Sequence, residues 1–335
     1  MPLKQRPKRL WNPRFLLSGK LKISVLTFPP VNPEIVSRVV LVVMAALIYC
    51  TNPRLATGAP SHSSDDRSLF VGDPNLTNDL TPWDHIQIGG SKENVSEKRN
   101  GSGGAGSVSV VPDPLGSEGK VYKLTVAPTS GFAALSAAAD RVDLWNNARP
   151  YMGQAGQETW EHFRILFRSN GDSYKPAPGN WNWLVQHHND NGYQPFLNRG
   201  DIRPERPELA WGVDTRSKLP GGRQGEQLFM VIRGGDDRHS DELESWVYPD
   251  SALRYDHWYD MLVHIIWSDQ RGAVEWWLDG RLICSQQTAT LWRRPNGATD
   301  HVNFEFSNYR VHAAWSSTVY FSKVKIGSSR EAVSF

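Results

Sequence analysis

The chain has 335 residues, 39% hydrophobic and 21% charged, enough for one large or two ordinary domains and too polar for a multi-span membrane protein. Its 28 Gly and 22 Pro show no period, which excludes collagen and solenoid designs, and two cysteines, Cys50 and Cys284, exclude a disulfide scaffold or a Cys-rich zinc module. The formal charge of +2 is uneven: residues 1–60 hold nine basic side chains against Glu34 alone, leaving 28 basic and 34 acidic residues downstream, so the body is not that of a nucleic-acid binder.

Taken in chain order, the first feature is Val39–Tyr49, VVLVVMAALIY, with Arg38 before it and Asn52-Pro53 after it. A cation followed by about a dozen apolar residues is the layout of an export signal, and a membrane span needs roughly 20. Residues 1–57 are therefore expected to be a basic lead plus an export signal or an uncleaved anchor. The protein would be secreted or extracellular, or held to a membrane through residues 39–49. Residues 58–82, rich in Pro, Ser, Asp and Asn, read as a linker, and residues 83–335 as the folded body. Ser91–Gly106 contains GSGGAG and reads as a loop. Asn75-Leu-Thr, Asn94-Val-Ser and Asn100-Gly-Ser are formal glycosylation sequons. Cys284, among apolar strand residues, is expected to be buried and inert.

From Lys120 onward, short alternating runs are separated by Gly, Pro, Asn and Asp. Strands are predicted at Val121–Ala127, His162–Arg168, Trp181–His188, Leu228–Arg233, Trp258–Trp267, Ala273–Leu278, Arg281–Ser285, Val302–Arg310 and Val319–Ile326. Asp279-Gly280 is the pair preferred for a two-residue hairpin turn. Many short strands with few helices make the fold all-β, a β-sandwich or jelly roll. Of the 14 tryptophans, Trp267, Trp276 and Trp277 lie in apolar strand patterns and are assigned to the core. Trp145, Trp181, Trp183 and Trp211 lie near Asn, Gly and Pro, where flat rings can stack on sugars.

Alternate side chains of a strand share a face. Val302, Phe304 and Phe306 are expected inside, and Asn303, Glu305, Ser307 and Tyr309 on the opposite face. Leu184, Gln186 and His188 share one side of their strand, and Trp183, Val185 and His187 the other; Arg141 and Asp143 point together. A face carrying Arg, Gln, His, Tyr and Asn suits a polar, extended ligand.

The runs ADRVDLWNNARP, GQETWEHFRILF, WNWLVQHHND, WYDMLVHIIWSDQRGAVEWWLDGRLI, NFEFSNYR and VYFSKVKIG, from Val121 to Gly327, resemble in order the heparin lyase I-like polysaccharide lyases, which are related to alginate and glucuronan lyases. The sharpest pieces are Arg141-x-Asp143, Gln186-x-His188 and Tyr309-Arg310. The resemblance implies a concanavalin-like jelly roll and β-elimination on a uronic-acid-containing polysaccharide. A base near neutral pKa removes the C5 proton, donors stabilise the charge that builds on the carboxylate, and an acid protonates the leaving oxygen. Carried over, His188 is the base, Gln186 holds the carboxylate, Arg141 neutralises it and Tyr309 is the acid; in some relatives Tyr serves as base and acid both. Arg164, His187, Asn303, Arg310, Lys323 and Trp183 are the substrate-binding candidates. The family's Lys four residues before the Tyr is here Glu305, a departure that Lys323 or Lys325 would have to offset.

No cofactor is required by this chemistry, although the acidic run Gly234–Glu244 has oxygen ligands compatible with Ca²⁺. The partner is an acidic polysaccharide, with no nucleic acid, and the protein is expected to be a monomer. No phosphate-cradling Gly loop, zinc helix or nucleophile elbow occurs. Two alternatives remain: a non-catalytic carbohydrate-binding sandwich, and a laminarinase-like hydrolase suggested by Glu242-Leu-Glu244. The hydrolase motif wants a third acid, where Val247 stands.

Overall fold

A strand that is apolar on one side only must bury that side against another layer. The computed structural model describes residues 67–89, 91–94, 101–103, 106–128, 140–146, 153–179, 182–189, 207–219, 224–236, 244–293 and 301–335. In chain order they form β1 (Ser68–Gly72), β2 (His85–Ile88), β3 (Ser91–Asn94), β4 (Gly101–Gly103), β5 (Gly106–Pro112), β6 (Lys120–Val126) and β7 (Asp140–Asn146). Then come β8 (Gly153–Gln154), β9 (Glu158–Phe167), β10 (Asn182–Asn189), β11 (Leu209–Lys218), β12 (Gln224–Arg233), β13 (Gly235–Asp236) and β14 (Glu244–Val247). The remainder are β15 (His257–Ile266), β16 (Gly272–Leu278), β17 (Arg281–Thr288), β18 (Trp292–Arg293), β19 (His301–Arg310) and β20 (Ser317–Gly327). All nine strands expected from alternation are present.

Sheet I runs β17-β16-β15-β9-β20-β6-β5-β4, with β1 also on β20. Sheet II runs β14-β12-β11-β10-β19-β7-β2-β3, with β8 also on β19. The two sheets share one apolar core: Phe163, Ile165, Met261, Val263 and Phe321 from sheet I meet Leu184, Trp211, Met230, Phe304 and Phe306 from sheet II. Trp83, in the connection from β1 to β2, is 2% exposed and lies within 5.7 Å of Phe70, Tyr122 and Phe306. The β16–β17 hairpin turns on Asp279 (φ 52°) and Gly280 (φ 77°), with Leu278 opposite Arg281. Positive φ at both positions matches the right-handed strand twist, and this is why Asp-Gly is favoured there.

Three expectations change. The segment 58–82 is not linker to its end: Ser68–Gly72 pairs with β20, and Leu80 is fully buried. The loop expected at Ser91–Gly106 contains β3 and β4, the second pairing with β5. Trp211 is core at 0% exposure, whereas Trp277 lies outside, stacked 5.8 Å from Trp160. Cys284 is buried, and burial first, then Glu275, pushes its thiol up to about 11, which keeps it unreactive. At the Asn75 sequon, the side chain is a lock: Oδ1 accepts from Lys120 N at 2.8 Å and Nδ2 donates to Glu118 O at 3.1 Å. The apolar run 39–49, Trp181 and the Asn100 sequon lie outside the described residues.

Candidate active site

β19 sits in the middle of sheet II between β10 and β7. As alternation requires, Phe304 and Phe306 enter the core, and Asn303, Glu305, Ser307 and Tyr309 take the outer face. Across β7 their partners are Arg141 opposite Tyr309, Asp143 opposite Ser307 and Trp145 opposite Glu305. Across β10 they are His188 opposite Asn303, Gln186 opposite Glu305 and Trp183 opposite Tyr309. The register shifts between Trp183 and Val185. That irregularity turns Trp183 onto the face of Gln186 and His188, although strict alternation places it on the other.

Arg141 is the hub. Its Nε donates to Asp143, its Nη2 donates to Glu305 Oε2 at 3.1 Å, and its guanidinium carbon lies 4.7 Å from the Tyr309 ring centroid and 5.5 Å from that of Trp145. Gln186 Nε2 donates to the same Glu305 oxygen at 3.3 Å and to Ser307 Oγ at 2.8 Å. Burial works against the charge on Arg141, but Asp143 and Glu305 outweigh it and hold the guanidinium pKa above its ordinary value. Burial pushes the Asp143 carboxyl up, with Arg141 opposing. Glu305, the departure from the family Lys, is thus a fully buried carboxylate whose charge is met by Arg141 and Gln186.

Exposure divides this group by task. Asp143, Glu305 and Ser307 are 0% exposed, Gln186 1% and Asn303 2%, so they hold their neighbours in place. Arg141, Tyr309 and His188 are part-exposed and able to reach a ligand. The structure brings Arg141, Gln186 and Tyr309 together. His188 is on the same face, its Nδ1 3.0 Å from Asn189 O, but five residues along β10 from the partner of Tyr309. At about 3.4 Å per residue the two backbones are roughly 17 Å apart along the strand.

Four other candidates are elsewhere. His187 points into the core, fully buried, with Nε2 2.8 Å from Glu161 Oε1 and its ring beside Trp267 and Phe304. Arg164 is on β9, on the outer face of sheet I, bound to Asp260 and Glu118. Lys323 is also on sheet I, with Nζ 4.5 Å from the Phe335 ring, so neither it nor Lys325 offsets Glu305. Arg310 shares the inward parity of Phe306: it is 1% exposed, pairs with Asp140 at 3.3 Å and donates to Lys175 O at 2.6 Å. Its work is structural.

Sequence reasoning also passed over Arg233, which is 3% exposed and gives Nε and Nη2 to Glu244 and Nη1 to Pro207 O, so it braces Trp183 and does not reach a ligand. It lies on β12 with its Nη2 2.7 Å from Glu244 and its guanidinium 5.5 Å from Trp183 and 5.8 Å from Trp246. The signal was present, because Leu228, Met230 and Ile232 inside force Phe229, Val231 and Arg233 outside. Among the described residues no group of three or more His, Cys, Asp or Glu is placed to hold a metal ion. Most of the acidic run Gly234–Glu244 lies outside them.

Jelly rolls host capsid proteins, lectins and enzymes alike, so the fold by itself names no activity. The polysaccharide lyase family model matches residues 76–325, and the chain belongs to that family. It is a lyase; the match is to the family as a whole and does not single out the heparin lyase I-like branch. Among solved structures, the endo-β-1,4-glucuronan lyase of the fungus Trichoderma reesei is similar at TM-score 0.54 and 16% identity, covering 80% of this chain and 98% of that one. The alginate lyase AlyC3 gives TM-score 0.48 and 11% identity over 76% and 95% of the two chains. The alginate lyase vAL-1 from Chlorella virus gives 0.43 and 11% over 78% and 100%. At such identities the glucuronan lyase shows the shared fold. No curated protein matches the sequence.

Proposed function

We propose that this lyase is exported and cleaves a uronic-acid-containing polysaccharide by β-elimination, with Tyr309 and Arg141 at the bond that breaks. The observation that carries the reading is the Arg141 guanidinium, 4.7 Å from the Tyr309 ring on the outer face of sheet II. Asp143 and Glu305 engage Nε and Nη2, which leaves Nη1 for a sugar carboxylate. A permanent cation beside the ring is also a counter-charge for a phenolate.

In this reading Tyr309 is both base and acid, as the tyrosine is in some relatives, and His188 lies further along β10. The phenolate removes the C5 proton, the C–H pair becomes the C4–C5 double bond, and the C4–O bond breaks. The phenol then returns its proton to the departing oxygen, so the enzyme is restored as the unsaturated uronate forms. Arg141 stabilises the charge that builds on the carboxylate in between. No water attacks, so the paired carboxylates of a glycosidase are not needed. His188 and Trp183 bind sugar units to either side, and the enzyme works as a monomer outside the cell, released from or held by residues 39–49.

The test is incubation with glucuronan, alginate, pectin and heparin, following ultraviolet absorbance of the unsaturated uronate. New reducing ends without that absorbance would replace elimination by hydrolysis, and binding without product would leave a lectin-like protein.

A further inference from the structure

The outer face of sheet II continues past Trp183. Trp183 packs on Phe229 at 5.3 Å, and two positions further along the same strands Asp214 of β11 faces Gln227 of β12. Here a cleft of about 540 Å³ opens, lined by Asp214, Ser217, Lys218, Gln227, Tyr248 and Asp250. That volume is in the range of small-molecule sites. Its floor is polar and buried: Asp214 and Gln227 are 6% exposed and Ser217 8%. Asp214 is fixed, its Oδ1 accepting from Arg216 N at 2.7 Å and its Oδ2 from the Tyr248 hydroxyl at 3.2 Å. Ser217 Oγ is buried with no hydrogen-bond partner, which is costly unless a ligand supplies one. The Tyr248 ring, 36% exposed, forms the rim 5.9 Å from Phe229. Burial first, then Asp214, pushes its phenol up to about 12, so it remains a donor.

We propose that this cleft binds a neutral, hydroxyl-rich sugar unit, and that the natural substrate is a mixed polymer carrying neutral sugars beside its uronates. A buried carboxylate, the amide oxygen of Gln227, whose Nε2 donates to Pro249 O, and an unpartnered hydroxyl match the vicinal hydroxyls of a pyranose, and the rim tyrosine offers its ring to the sugar's apolar face. A uronate would set its carboxylate against Asp214, whose Oδ1 is met by Arg216 Nε only at 3.5 Å and from a largely exposed side chain, while Lys218, the single cation of the lining, is exposed at the mouth. The substrate half of the inference rests on the elimination reading; the binding half stands without it.

Titration calorimetry on the full chain, with xylohexaose, cellohexaose and an oligoglucuronate as probes, separates the two. A neutral hexaose should bind the wild type and lose tenfold or more in affinity in both Tyr248→Ala and Asp214→Asn. Tyr248→Ala takes a donor from buried Asp214 and should lower the unfolding midpoint by a few degrees; a midpoint still well above the assay temperature shows that its loss of binding is not a folding defect. No binding of either neutral hexaose, or binding unchanged in both variants, overturns the proposal. Failure of elimination shows separately, as missing ultraviolet product.

Discussion

On the outer face of sheet I, His162, Arg164, Lys323 and Lys325 gather around Phe335. On the outer face of sheet II, Arg141, Gln186, His188 and Tyr309 lie across three neighbouring strands. The residue types are alike and each arginine keeps one nitrogen over, but the neighbours differ: Arg164 faces the Phe335 ring and Arg141 a tyrosine. On sheet I, Asp260 takes His162 Nε2 at 3.0 Å and Arg164 Nε at 2.8 Å, Glu118 takes Arg164 Nη1, and Phe335 stacks on His162 at 3.8 Å. On sheet II, Arg141 keeps Nη1 available and Tyr309 stands part-exposed beside it. A charge-rich face is therefore not by itself a site; what sets sheet II apart is a part-exposed tyrosine beside the free edge of its arginine.

The comparison breaks most directly at Tyr309. Tyr309→Phe should lower kcat on a cleavable polyuronate on the order of 10³-fold or more, with the thermal midpoint unchanged; a fall of less than tenfold would remove Tyr309 from the reaction. Arg141→Lys keeps a charge but loses the fork geometry, and should cost on the order of 10²-fold in kcat/KM. His188→Ala should raise KM by roughly three- to tenfold with kcat nearly constant, as expected for loss of uniform binding. Loss of kcat on the scale of Tyr309→Phe would restore the imidazole as the base. On the other sheet, Arg164→Gln should leave kcat/KM unaltered and lower Tm by about 2–4 °C, the effect of roughly 1 kcal/mol or less in a domain of this size.

The smallest effect is in pH dependence, where the two faces have opposite signs. Around Asp260, burial alone would raise the carboxyl, but His162 and Arg164 prevail and hold it below 3.8. Its stabilisation is present above that value and lost as pH falls through the lower, folded one. Burial raises the Asp143 carboxyl above 3.8, so the folded state holds the proton longer, and its stabilisation is lost as pH rises through the raised value. Unfolding midpoints across pH should thus lose the fall toward acid in Asp260→Asn and, in Asp143→Asn, the fall that sets in as pH rises above 3.8. The same slope in wild type and both variants would remove these carboxyls from the balance.

Much of this was legible along the chain. The alternation of Val302–Arg310 put Tyr309 and Glu305 on one face and the phenylalanines on the other, and Arg141-x-Asp143 read as a same-face pair. Arg164 and Lys323 misled because their own strands alternate correctly: each does face outward, from the other sheet. His187 misled because a core can accept an imidazole once Glu161 meets it, and Trp183 because one irregular pairing reversed its side.

Local parity, turn chemistry and family likeness could be settled by residues near one another in sequence: strands, the Asp279-Gly280 turn, the lyase class, and the shared faces of Arg141 with Asp143 and of Tyr309 with Glu305. Which strands share a sheet, how far His188 stands from Tyr309, and which arginines have carboxylates to spend their donors on were decided only when distant segments met. Those properties depend on register and burial across strands, and a period of two along one strand carries no information about either.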